Sequence, residues 1–158
     1  MTRLLALLLL LASPAHALSC LRPDAVRLYT QAAESEELFA IFIGRLHAEN
    51  GIEVPRIPND GTIQDNKEAT SRVRLTGVTL GERHFDTPFD RDIDVRVTCL
   101  SVWCGNPLTD RDILAALRLT DGGPELEIDP CGSMAMPAEE ADIDALLRCH
   151  RSGKCGLE

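Results

Sequence analysis

The polar and apolar positions of this chain fall into short blocks of differing period. In residues 23 to 35, Val26, Tyr29, Ala32 and Ala33 recur three or four apart, which predicts an amphipathic helix. Pro23 then takes the first helical position, and Asp24 favours the helix dipole. Leu38 to Leu46 is apolar on both alternating faces, as in a strand covered on both sides. Val73 and Leu75 open a second strand, with Gly77 placed to interrupt it by a bulge before Val78 and Leu80. The third strand is the clearest. Ile93, Val95, Val97 and Cys99 alternate with Asp92, Asp94, Arg96 and Thr98, giving one buried and one wet face.

Ile113 to Leu119 forms another apolar run, which Asp121-Gly122-Gly123 turns back into Leu126 and Ile128. Glu125, Glu127 and Asp129 take the alternate positions, so the pair reads as a hairpin. Pro137 to Arg151 starts acidic at Glu139 and Glu140 and ends basic at Arg148 and Arg151, matching a helix dipole. Ile143, Leu146 and Leu147 give that helix its apolar stripe. Residues 49 to 71 have little periodicity, two prolines and two glycines, and read as one long loop. The expected fold is mainly β with an N-terminal and a C-terminal helix. Its strands suit a small five-stranded antiparallel barrel.

The first residues follow a different logic. Met1-Thr2-Arg3 precedes the apolar run Leu4 to Ala12, and Ala15-x-Ala17 supplies a small-residue cleavage motif. A membrane-spanning helix needs about 20 apolar residues, and Pro14 and His16 interrupt this run too early. Residues 1–17 are therefore expected to be a signal peptide, and residues 18–158 one exported domain, periplasmic or secreted. Two other processing routes remain open: cleavage after Ser19, and lipidation of Cys20 in the sequence Ala17-Leu18-Ser19-Cys20. The lipobox match is poor, because Ala17 stands where leucine is usual.

Export changes how the charge and the cysteines are read. The leader holds Arg3 and no acid, so the remainder carries one positive charge fewer than the whole chain's −9, that is −10. Such a surface repels phosphate backbones and anionic lipid heads, which argues against nucleic-acid and electrostatic membrane binding. The six cysteines, Cys20, Cys99, Cys104, Cys131, Cys149 and Cys155, form an even set and read as three disulfides in an oxidising compartment. Lipidating Cys20 would leave an odd number. Cys149 and Cys155 lie close together at the end of the last helix, with Gly153 to allow the turn, and are the favoured pair.

The order of elements and short motifs resembles the netrin/tissue-inhibitor-of-metalloproteinase group of OB-fold modules. The residues concerned are Cys20, Tyr29-x-x-Ala32, Phe42-x-Gly44-Arg45-Leu46, Val73/Val78-Leu80-Gly81, Cys104-Gly105, Gly123-x-x-Leu126 and Cys131. The chain is also similar to small exported bacterial proteins of unknown role with the same cysteine order. The resemblance implies an OB-like barrel with Cys20 tied to Cys104 or Cys131. It does not carry protease inhibition over. The animal inhibitors use a free N-terminal cysteine within a Cys-x-Cys pair, whereas here Leu18-Ser19 precede a single Cys20.

Other chemistries lack their usual residues. Asp90-x-Asp92-x-Asp94 suggests calcium, but an EF-hand needs glycine at its sixth position and glutamate at its twelfth, where Val95 and Ser101 stand. Cys149-His150 with Cys155 offers zinc only three ligands where a structural site wants four. Cys99 and Cys104 are too far apart for a Cys-x-x-Cys redox pair. His47, His84 and His150 lie in no nucleophile–base motif, and no phosphate-binding glycine loop is present.

No cofactor is called for. Trp103, the only tryptophan, either packs over a disulfide at the core edge, the commoner arrangement, or anchors an interface. The expected role is a non-catalytic module binding a protein or other ligand in the envelope or outside the cell. The alternatives are a hydrolase or redox enzyme built from scattered residues such as His84, Asp86 and the cysteines, or a lipid-anchored structural protein.

Overall fold

The computed structural model describes residues 19–57 and 67–156. The expected leader and residues 58–66 of the long loop lie outside this range. The elements are α1 (Ala25–Glu34), β1 (Phe39–His47), β2 (Glu68–Leu80), β3 (Phe85–Leu100), β4 (Trp103–Cys104), β5 (Ile113–Thr120), β6 (Gly123–Ile128), β7 (Ala135–Pro137) and α2 (Glu140–Ser152). The first helix starts two residues later than its pattern suggests, at Ala25 and not at Pro23. Asp24 is its N-cap, accepting a hydrogen bond from the Arg27 amide at 2.8 Å, and Pro23 stands before the cap. Pro137 likewise belongs to β7 rather than to the last helix.

Five strands close into a ring: β1 pairs with β2, β2 with β3, β3 with β6, β6 with β5, and β5 returns to β1. Four of these pairings are antiparallel. The β3–β6 pairing is parallel, which corrects the expectation of a wholly antiparallel set. It arises because β6 returns from the tight Thr120–Gly123 turn beside β3 instead of beside β2. Two further strands, β4 and β7, are too short to show a period and were not expected. Glu68 to Ser71 belong to β2, not to the preceding loop, and β3 starts eight residues before Ile93.

The alternation of side chains sorts the core into two layers. Phe42, Leu46, Leu75, Ile93, Val95, Val97, Ile113, Leu117 and Leu126 fill the ring. On the opposite face of β1 and β5, Ile41, Leu114 and Ala116 meet Leu28, Ala32 and Leu146 of the two helices. This explains why β1 and β5 read as continuous apolar runs: one face looks into the ring, the other into the helix layer. The bulge expected at Gly77 is absent. Gly77 lies opposite Gly44 in register, and the irregularity falls at Thr79/Leu80. A Cβ at Gly77 would sit 2.7 Å from the Gly44 Cα and 2.7 Å from the Phe42 ring, so the pair is required for close strand approach.

Three disulfides brace this framework. Cys20–Cys131 fastens the segment before α1 to the loop after β6, as one of the two pairings implied by the resemblance. Cys149–Cys155 closes the end of α2, where the chain reverses at Gly153 and its amide bonds to the Cys149 carbonyl at 2.9 Å. Cys99–Cys104 joins directly paired residues of β3 and β4. With Cys20 so engaged, its sulfur has no valence left for a lipid thioether.

Candidate functional site

The charged residues of the outer face are the first place to look for chemistry, and they turn out to be paired with one another. Strand register sets Arg72 opposite Asp94, Arg74 opposite Asp92, Arg96 opposite Glu127 and Arg118 opposite Glu125. Arg72 meets Asp94 at 3.0 Å, and Arg74 meets Asp90 at 2.6 Å and Asp92 at 3.6 Å. The carboxylates considered for calcium are thus a cross-strand ion ladder on a wet strand face. Arg96 also reaches Glu68 and Glu125, and Arg118 binds both Glu37 and Glu125.

Glu125 is the hub of this network, only 20% exposed. Burial works to raise its pKa, but hydrogen bonds from Arg118 and Arg96 outweigh it and hold the carboxyl below its usual range. Asp90 is also held low, chiefly by its hydrogen bond from Arg74.

The histidines are likewise engaged. His150 Nδ1 lies 2.9 Å from the Tyr29 hydroxyl, and its Nε2 lies 3.0 Å from the Glu82 carbonyl. A carbonyl only accepts, so Nε2 is the donor to Glu82, which leaves Nδ1 to pair with the Tyr29 hydroxyl. His150 thereby pins α2 to α1 and to the β2–β3 turn; its cysteine neighbours are in a disulfide, so the zinc set is not assembled. His84 and Asp86 sit exposed at that turn. Among the described residues no three His, Cys, Asp or Glu side chains are grouped to hold a metal ion, and all six cysteines are bridged.

Two clefts deserve weighing against this background. A cleft of about 630 Å³ beside the β1–β2 connection is lined by His47, Arg72, Arg74, Thr76, Asp90 and Asp92, with His47 Nε2 2.6 Å from Thr76 Oγ1. Its guanidinium and carboxylate groups are those of the ladder. A second, apolar cleft of about 220 Å³ lies under Leu108, against Leu46, Ile113 and Ile128. That is smaller than the ~300–1,000 Å³ of ordinary ligand pockets.

The unpaired feature is apolar. Beyond Cys99, β3 turns through Ser101 and Val102 into Trp103, and Leu100 pairs with Trp103. Leu100 is 48%, Val102 58% and Trp103 55% exposed. Trp103 therefore stands out from the surface instead of packing at a core edge. Val54, 40% exposed, lies on the adjoining loop, whose Pro55 carbonyl is 3.9 Å from Cys104 Sγ. Three features fix this knuckle from behind. The Cys99–Cys104 bridge spans its base, and the Gly105 amide bonds to the Thr98 carbonyl at 2.9 Å. Gly105 itself lies so close to β6 that a Cβ would meet the Ile128 carbonyl carbon at 2.6 Å.

The turn pays for its shape. Ser101 has φ 57°, the left-handed region that a two-residue hairpin normally gives to glycine at this position, and no other non-glycine among the described residues has positive φ. Backbone held in a disfavoured region, with large apolar side chains outward, is a pattern found at binding sites. Of these residues only Trp103 stands out in the sequence, as the lone tryptophan. Leu100 was hidden because it directly follows the buried face of β3, and Ser101 gives no sign of positive φ.

Comparisons with family models, with curated proteins and with solved structures returned no match to this chain.

Proposed function

We propose that this chain is an exported, non-catalytic binding module with an OB-like ring, whose protein partner receives the Leu100–Trp103 knuckle in an apolar pocket. The observation that carries the reading is the exposed Leu100, Val102 and Trp103 group on a disulfide-backed turn. Tryptophan is enriched at interface hot spots, and a contact already rigid loses little entropy on binding.

Supporting the OB-like part are the strand order β1-β2-β3-β6-β5, closed on β1, and the parallel β3–β6 pairing. Supporting export are the leader pattern at residues 1–17 and three disulfides, which persist in oxidising compartments. The ladder supports a non-catalytic role, since its charged groups stabilise one another.

The test uses the oxidised chain and its Trp103→Ala variant as parallel baits in an envelope extract. A protein held saturably by the native chain should fall at least about tenfold with the variant, as hot-spot truncations do. Identical capture by the two baits would overturn the assignment of the knuckle.

A further inference from the structure

We infer that the Cys99–Cys104 bridge is a redox gate on the knuckle: closed, it holds Trp103 in a fixed presentation, and opened by a dithiol, it releases the turn while the ring stays folded. This rests on the binding reading above and adds the regulation of that site.

The bridge joins residues only five apart in sequence, so it restricts the unfolded chain far less than Cys20–Cys131, which spans 111. Its local effect is larger. β4 has two residues, tied to β3 by two register pairs, Cys99 with Cys104 and Leu100 with Trp103, and by the Gly105–Thr98 backbone bond just beyond them. A pairing that short is marginal by itself, and here it must also keep Ser101 in the left-handed region. The bridge closes the first of those two pairs. Without it, Ser101 can return to ordinary φ, and the Leu100–Trp103 pair opens.

The sulfurs are arranged for exchange from one side. Cys99 is 3% exposed, whereas Cys104 is partly open to solvent. A thiolate of the incoming dithiol attacks Cys104 Sγ, forming a mixed disulfide and expelling the Cys99 thiolate, which takes up a proton. The second thiol of the reductant then attacks its own mixed sulfur, releasing Cys104 as a thiol. Two electrons pass to the bridge, and the reductant leaves as its disulfide. A Cys-x-x-Cys oxidoreductase of the envelope is the class of reagent required.

Trp103 is the only tryptophan, so its emission reports the knuckle alone. The mature chain is compared with Cys99→Ala/Cys104→Ala and with native chain treated with dithiothreitol, alkylation and mass mapping identifying the opened bridge. The expected result is loss of most of the Trp103 anisotropy in excess of free N-acetyltryptophanamide. Acrylamide quenching should rise in step, the far-UV circular dichroism should stay constant, and the native signal should return on reoxidation. Adding Ser101→Gly to the double variant should restore part of the anisotropy by removing the conformational penalty.

Unchanged anisotropy in the double variant, or a signal that moves only with global unfolding, would overturn the gate. It would leave the binding reading intact, which stands or falls on capture by Trp103→Ala.

Discussion

Two of the disulfides sit at opposite extremes of purpose. Cys20–Cys131 ties an N-terminal segment to a distant loop across 111 residues, while Cys99–Cys104 spans five at the foot of a surface hairpin. The first acts on the whole fold, because it forbids most of the unfolded chain's arrangements. The second acts on one turn, whose apolar side chains Leu100, Val102 and Trp103 are about half exposed. The same bond therefore serves architecture in one place and presentation in the other, and what separates them is loop length together with what the bridge supports.

Removing each bridge by paired alanines breaks or upholds that contrast most directly. Loop-closure entropy assigns about 5 kcal/mol to Cys20–Cys131 and about 2 kcal/mol to Cys99–Cys104. Denaturant unfolding at one pH should show the long bridge costing more than twice the short one. Equal losses would mean that the short bridge also serves the fold.

The ion ladder sharpens the contrast from the other side, as a surface feature that belongs wholly to the architecture. Glu125→Gln removes the charge that two guanidinium groups share, at a site only one-fifth exposed. The expected loss is about 1–2 kcal/mol in denaturant unfolding, with Trp103 emission unchanged in the folded baseline.

Acid should act through the same group. The folded-state pKa of Glu125 lies below its unfolded value, so its contribution is complete above about pH 4.3 and is lost as pH falls through the depressed folded value. Asp90, held low by Arg74, acts in the same direction. Asp142 has the opposite sign: burial, then the charges of Glu139 and Asp24, raise its pKa, so its protonation on acidification offsets part of the loss. A pH series of urea midpoints should therefore decline below about pH 4.3 in the native chain, and less steeply in Glu125→Gln.

How far the sequence reveals all this depends on whether a feature is local or periodic. The two helices and the ring strands were legible because their apolar positions repeat over many residues, and the Cys149–Cys155 pair because both cysteines flank one helix end. The parallel β3–β6 pairing was not, since alternation along a strand says nothing about its neighbour's direction. Gly77 shows the same limit: a glycine in a strand signals a bulge or a close approach, and only Gly44 across the register decides between them. At the knuckle, Trp103 was visible as a lone tryptophan beside a cysteine. Its exposure depends on a two-residue turn, which no periodicity encodes.

The smallest expected effect on stability is also the most telling. Trp103 is more than half exposed and contributes to neither core layer, so Trp103→Ala should shift unfolding by no more than about 0.5 kcal/mol, as surface substitutions away from special features do. A substantially larger loss would place the indole among the fold's supports and make the knuckle a second architectural clasp, erasing the distinction between the two bridges. A near-zero loss together with a large fall in capture would separate the two roles in one residue: a side chain the fold does not need, held outward by a bridge the fold needs little.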